Sequence, residues 1–213
     1  MEDVPLKIVL NAYCNGYFAM GGDDGEIRWH NPEIRAIIPA PGLHVSRSLR
    51  SLILKNPYEI RIDAAFDDVV AGCAERRPDR WITEDIQVMF SALHKIGYAH
   101  SVECWKDDVL VGGVYGLALG GAFCAESMFS RESNASKVAL AHLCARLEKG
   151  GFTLIDCQIL NDHTRSLGAV EIPGRVYLNR LHEAIRQRAD FSLRECGPVD
   201  ERVLIWNYLG NRI

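Results

Sequence analysis

No apolar run in this 213-residue sequence approaches the ~18 residues that a membrane-crossing helix needs, which argues against a spanning segment. Paired cysteine spacing is missing too. The seven cysteines, an odd number scattered along the chain, fit reduced thiols in the cytosol better than a disulfide framework. There is no H-E-x-x-H and no C-x-x-C, and the seven histidines are dispersed, so no metal site is expected. A G-x-S-x-G elbow is absent. The glycines of VGGVYGLALGG lack the G-K-[ST] ending of a phosphate loop and read instead as bends or close approaches within strands. No repeat or low-complexity tract interrupts the chain. The start, MEDVPLKIVLNAYCNGY, carries acid before its apolar stretch and no basic leader, unlike a signal peptide. These absences together point to a cytoplasmic globular protein.

What is present is enough apolar material for one ordinary core and a small extra lobe, with 48% hydrophobic residues. The net charge of −4 argues against indiscriminate coating of nucleic acid. Local patches matter more than totals for phosphate, and two occur. One is HVSRSLRSLILK, with Arg47, Arg50 and Lys55; the other is ERRPDR, with Arg76, Arg77 and Arg80. Either patch alone reads more readily as an ordinary solvated surface.

Residues 1–60 read as irregular, with turn formers in GGDDGEIRWHNP and IPAPGLH and only short strands between. Asp63 is placed to cap a helix through AAFDDVVAGCAER, stopped by Pro78. Thr83 opens a second helix, TEDIQVMFSALHKIG. Three β-runs follow as an expected antiparallel meander: AHSVECW, VLVGGVYGLAL and GAFCAESMF. SNASKVALAHLCARLEKGG has helical spacing in Val138, Leu140, Leu143 and Leu147. FTLIDCQIL is then a buried strand. Asp162 heads a short helix, GRVYLNRLHEAIRQR forms a longer one, and the tail FSLRECGPVDERVLIWNYL is expected to add a strand. This order predicts a mixed α/β (α+β) fold, a largely antiparallel sheet flanked by helices.

The most informative feature is an acid and an amide inside the apolar run FTLIDCQIL. Alternation puts Asp156 and Gln158 on one face and Ile155, Cys157 and Ile159 on the other. A buried carboxylate costs several kcal/mol unless paired or hydrogen-bonded, so either that face opens to a site or a partner waits there. In GAFCAESMFS, Glu126 is a second acid in a strand, sharing a face with Cys124 and Met128 by alternation. Neighbouring strands would bring two carboxylates and an amide to one cleft; an edge glutamate facing water is the competing reading. Trp29, Trp81, Trp105, Phe123 and Tyr13 are candidates for a pocket lining, though aromatics more often fill a core.

The segments AYCNGYFAM, HVSRSLR, RWITEDI, IGYAHSVECW, LVGGVYGLALGGAFCAESMFSR, NASKVAL and LIDCQILNDHTRSLGAVEIP resemble the leucyl/phenylalanyl-tRNA–protein transferase family over roughly residues 12–185. ESMFSR and DCQ-x-x-NDH-x-x-SLGA are the long, specific matches. The resemblance implies a small N-terminal α/β lobe, taken as residues 1–60, and a GNAT-like acyltransferase lobe over 61–213. It implies transfer of Leu or Phe, and less of Met, from aminoacyl-tRNA to proteins beginning with Arg or Lys. That addition marks them for degradation by the N-degron route. No metal or diffusible cofactor is implied, and a monomer is expected.

By motif position the resemblance places the catalytic pair at Asp156 and Gln158 and an acceptor-binding acid at Glu126. It maps an aminoacyl pocket onto Met20, Trp81, Val114, Phe123, Leu140, Leu143, Leu147 and Ile155, and sets Tyr13 near the terminal adenosine. Contacts from Arg47 and Arg50 to tRNA are suggested by charge alone. Met20 stands where some members carry tryptophan, Ala19 replaces a frequent proline, and the tail after about residue 188 lies outside the resemblance. Two rivals remain. An acyl-CoA N-acyltransferase would want a glycine-rich strand-to-helix turn, which FSRESNASKVAL lacks. A non-catalytic tRNA-binding protein leaves Asp156 and Gln158 with nothing but packing to do.

Overall fold

Alternating and helical patterns resolve into eight helices and nine strands in a computed structural model, which describes residues 5–22, 24–39, 42–75, 81–194, 197 and 199–210. The helices are α1 (Leu6–Cys14), α2 (Arg47–Leu54), α3 (Phe66–Glu75), α4 (Glu84–Lys95), α5 (Ala135–Lys149), α6 (Asp162–Ser166), α7 (Gly174–Ile185) and α8 (Glu201–Gly210). The strands are β1 (Phe18–Gly21), β2 (Ile27–His30), β3 (Ile34–Ile38), β4 (Glu59–Ile62), β5 (Ala99–Lys106), β6 (Val109–Leu119), β7 (Ala122–Ser130), β8 (Leu154–Gln158) and β9 (Val170–Pro173). The patch at 76–80 lies outside the described residues.

A β1–β2 hairpin stands apart from a seven-stranded sheet of order β4-β5-β6-β7-β8-β3-β9. Every pairing in that sheet is antiparallel except β7 with β8, which α5 connects. The fold is therefore mixed α+β, and β5, β6 and β7 form the expected meander. Strand β4 straddles residue 60, and β3, from the N-terminal stretch, is hydrogen-bonded inside the large sheet.

Helices cover both faces of the sheet. Val102, Val114 and Phe123 meet Leu140, Leu143 and Leu147 of α5 on one side. Tyr115, Leu117 and Cys124 meet Val9 of α1, Phe66 of α3 and Phe90 of α4 on the other. Complete burial of each such side chain contributes roughly 1.5–3 kcal/mol, so α5 is anchored chiefly by its leucines. Gly116 stands where a Cβ would collide with the Phe123 ring and the Cys124 carbonyl. No helix among the described residues is long and apolar enough to cross a membrane.

Several local expectations need correction. The N-terminal stretch contains α1, whose Leu6, Val9, Leu10 and Tyr13 follow i, i+3, i+4, i+7 spacing. The tail supplies α8 instead of a strand, because Leu204 and Tyr208, and Ile205 and Leu209, are buried four residues apart on one helical face. Asp200 caps α8 by accepting from the Arg202 backbone N–H at 2.8 Å. Asp63 does not cap α3; it accepts from the Ser101 N–H and pairs with His100, each at 2.7 Å. Glu103 instead accepts from the Ala65 N–H at 2.8 Å, just before α3 begins. Asp162 does head α6, as expected, and Asn161 before it forms the capping box with Thr164.

Candidate active site

A cavity of about 290 Å³ opens where β7 and β8 part. Their parallel ladder ends at the Cys124–Asp156 rung. Beyond it, Ala125, Glu126, Ser127 and Met128 of β7 face Cys157, Gln158 and Ile159 across the gap. Phe18, Met20, Ile38, Trp81, Val114, Leu140 and Leu167 complete mostly apolar walls, and Asn161, His163 and Thr164, the cap and first turn of α6, add polar groups. This volume sits just below the ~300–1,000 Å³ of typical ligand pockets, a size for one amino-acid side chain rather than a whole nucleotide.

Two β-bulges aim the polar groups. Gly116 pairs with Ala125 and Tyr115 with Ser127, so Glu126 is the extra residue of its strand. Ile37 pairs with Asp156 and Ala36 with Gln158, so Cys157 is extra in β8. A bulge breaks alternation locally, and consecutive residues 125–128 all border the cavity. Gln158 also adopts φ +55°, a left-handed conformation that is costly for a residue with a Cβ. Alternation places the pair as expected: Ile155 and Cys157 pack on the α5 side, while Gln158 meets Glu126 and Asp156 lies behind it, outside the cavity lining.

Glu126 and Gln158 meet directly. The Gln158 Nε2 donates to Glu126 Oε1 at 3.0 Å, and both residues are buried. The Tyr13 hydroxyl lies beside the Glu126 carboxylate and favours its ionised form. Burial raises the Glu126 pKa to about 8, with the nearby Asp156 charge adding to it; Tyr13, Arg35 and Gln158 oppose the rise. Burial and the same glutamate hold the Tyr13 phenol well above its usual range, so it stays neutral. His163 is pushed the other way, below its ordinary value, by burial and by Lys137.

Asp156 is fully buried and completely engaged. Arg35 donates to it twice, Nε to Oδ1 at 2.8 Å and Nη2 to Oδ2 at 2.6 Å. The Tyr177 hydroxyl of α7 donates to Oδ2 at 2.8 Å, and the Gln158 backbone N–H donates to Oδ1 at 2.9 Å. The partner that a buried carboxylate requires is thus an arginine from β3. Arg35 itself is 1% exposed, donates from Nη1 to the Gly16 carbonyl at 2.9 Å, and lies between the rings of Phe18 and Tyr177.

Of the eight expected pocket residues, Met20, Trp81, Val114 and Leu140 line the cavity with Glu126 and Gln158. Phe123 and Leu143 are core, Phe123 stacked on Phe191 at 5.7 Å between ring centres. Leu147 and Ile155 border a separate hollow of about 200 Å³ near Tyr208. Tyr13 is 1% exposed and edge-on to Trp29, which leaves its ring no open face for a base. Arg50 donates to the Leu209 carbonyl at 2.7 Å, an end of α8, whereas Arg47 is exposed. Trp105 lies under Arg61, away from the cavity. Sequence reasoning missed Arg35, although a cation inside the apolar run IRAII was a readable sign of a buried counter-ion. Phe18, Cys157 and the NDH turn were also missed as lining. Among the described residues no cluster of three or more His, Cys, Asp or Glu could hold a metal ion.

Comparison with known proteins bears on this geometry. A family model described as leucyl/phenylalanyl-tRNA protein transferase matches residues 37–182. A leucyl/phenylalanyl-tRNA–protein transferase of Rhodospirillum rubrum is 47% identical, the alignment covering 91% of this chain and 93% of that protein. One from Roseobacter denitrificans is 50% identical over 92% of this chain and 95% of its own length. One from Phenylobacterium zucineum is 47% identical over 90% and 89%.

Proposed function

Because the chain belongs to the leucyl/phenylalanyl-tRNA–protein transferase family, we propose that the cavity between β7 and β8 is where it moves an aminoacyl group from aminoacyl-tRNA to a protein. The single observation that supports this site most is Glu126 and Gln158 facing each other, 3.0 Å apart, at the polar end of an apolar pocket. The donor's Leu or Phe side chain, and less readily Met, occupies the walls formed by Met20, Trp81, Val114 and Leu140.

The chemistry demands little of the protein. The aminoacyl ester is already activated, and an acceptor α-amine has an unperturbed pKa near ~8, so a useful neutral fraction exists at pH 7. Gln158 spends its amide donor on Glu126, which leaves the carbonyl oxygen as the end that accepts a hydrogen bond from the amine. The amine nitrogen then attacks the ester carbonyl carbon. The bond to the ribose oxygen breaks, and the proton lost by nitrogen ends on that oxygen. Alignment of this kind can lower a barrier by up to ~7–11 kcal/mol. Asp156 acts behind Gln158, and Glu126 pairs with the side chain of an N-terminal Arg or Lys.

Beside the cavity, sharing Leu167, runs a polar groove with Ser46, Ser48, Ser51, Lys55 and Lys137. We place the 3′ end of the tRNA there, with exposed Arg47 reaching its phosphates. Charged tRNA as donor makes the cytoplasm the compartment, and the addition marks acceptors for degradation. Labelled Phe-tRNA, an Arg-starting peptide and its N-acetylated form test the reading: label must enter the first peptide only. Transfer that survives Gln158→Ala at the parental rate contradicts the site.

A further inference from the structure

Gln158 does not hold its position unaided. Its φ of +55° lies in the left-handed region, past the end of the ladder with β7 and beside a bulge in the ladder with β3. Besides its pairing with Ala36 of β3, its backbone is held by the hydrogen bond from its N–H to Asp156 Oδ1 at 2.9 Å. Asp156 accepts that bond in an orientation that is fixed from behind. The Arg35 fork grips both carboxylate oxygens, and the Tyr177 hydroxyl holds Oδ2 at 2.8 Å.

The same guanidinium reaches a second part of the site. Its Nη1 donates to the Gly16 carbonyl, and its face lies 4.7 Å from the Phe18 ring centre. Phe18 is a wall of the cavity. One buried cation therefore ties the segment after α1 to the strand that carries Gln158.

We infer that Arg35 is a positioning residue for aminoacyl transfer, setting Gln158 through the Asp156 carboxylate and the Phe18 wall through the Gly16 carbonyl. It touches neither substrate. A lysine cannot replace it, because an ammonium is a point donor and cannot present two parallel N–H groups to both carboxylate oxygens while reaching Gly16. The inference rests on the proposed role of Gln158, and the controls separate the two.

The experiment measures kcat and KM for Phe-tRNA with an Arg-starting peptide, normalised to folded protein, in four variants. Arg35→Lys keeps the charge, and its kcat should fall about 10- to 100-fold, the scale of a misplaced reacting group, with KM changed less than about threefold. Arg35→Met alone strands a buried carboxylate and should also lower Tm. Adding Asp156→Asn to Arg35→Met should restore much of the Tm but not kcat, since the amide is no longer held by the fork. Gln158→Ala should be as slow as Arg35→Lys or slower. Parental kcat in Arg35→Lys, recovery of kcat with Tm in the double variant, or loss of activity that merely follows loss of folded protein overturns the inference about Arg35. If Gln158→Ala transfers normally, the reading of Gln158 fails and the inference falls with it; if only Arg35→Lys is normal, Gln158 stands and Arg35 does not.

Discussion

Gln158 reaches Glu126 across 3.0 Å at a point two residues past the last rung, Cys124 with Asp156, that joins their strands. The separation of β7 and β8 opens the cavity, and this amide–carboxyl bond closes its polar end. A carboxyl so buried, with a pKa raised to about 8 by burial and by Asp156, is largely protonated at neutral pH.

Acceptor binding should therefore depend on pH. A cationic Arg side chain needs the ionised Glu126, so the proton competes with it below about pH 8. KM for an Arg-starting peptide should fall as pH rises toward 8 and level off above it, beyond what titration of the peptide amine accounts for. In Glu126→Gln the KM should be higher and this extra dependence gone. A parental pH profile in that variant would falsify the acceptor role.

Stability should carry the opposite dependence. Folding raises the Glu126 pKa above its unfolded value, so its protonated form is favoured in the native state. The contribution is complete below ~4.3 and is lost as pH rises through about 8. At ~1.36 kcal/mol per pKa unit, the loss is on the order of a few kcal/mol. Glu126→Gln has no such proton to lose, so its Tm relative to the parent should rise between pH 5 and pH 9. Parallel Tm curves would show that Glu126 is ionised at no cost.

The pocket walls should set donor preference. Met20 is half-buried at the cavity edge, and Met20→Trp narrows it. One added or lost methylene in such a pocket changes discrimination by ~1–3 kcal/mol, so the Phe-to-Leu transfer ratio should fall about tenfold. An unchanged ratio in competition between the two charged tRNAs would put the side chain elsewhere.

How much of this was readable from the sequence differs element by element. The meander and α5 follow from plain alternation and helical spacing, with clear turn residues between them. Asp156, Gln158 and Glu126 stand out because polar groups in apolar strands need a reason. Alternation gave the shared face of Asp156 and Gln158, with Ile155 and Cys157 on the other side. The bulges at Glu126 and Cys157 and the positive φ at Gln158 were not readable, and the first of them sends Met128 to the face opposite Glu126. Arg35 lies 121 positions from Asp156, and nothing local joins them. Helix α1 was legible in Leu6, Val9, Leu10 and Tyr13 but was obscured by the glycines that follow. For α8, β-branched and aromatic residues suggested a strand while the four-residue spacing decided for a helix.

Arg47 and Arg50, adjacent on α2, should separate experimentally. Arg50 donates to the Leu209 carbonyl, so Arg50→Ala should lower Tm by loosening α8 and leave the salt dependence of tRNA binding nearly intact. Exposed Arg47→Ala should reduce that salt slope by roughly 0.7–0.9, one phosphate contact, with Tm unchanged. The reverse pattern would exchange their roles.

The most direct test of the central claim is single-turnover transfer of labelled Phe from Phe-tRNA to an Arg-starting peptide by the parent and by Gln158→Ala, at equal folded concentration and saturating tRNA. The account predicts rapid transfer by the parent, none to the N-acetylated peptide, and a rate at least about 100-fold lower in the variant with tRNA binding retained. Equal rates in the two proteins would contradict it.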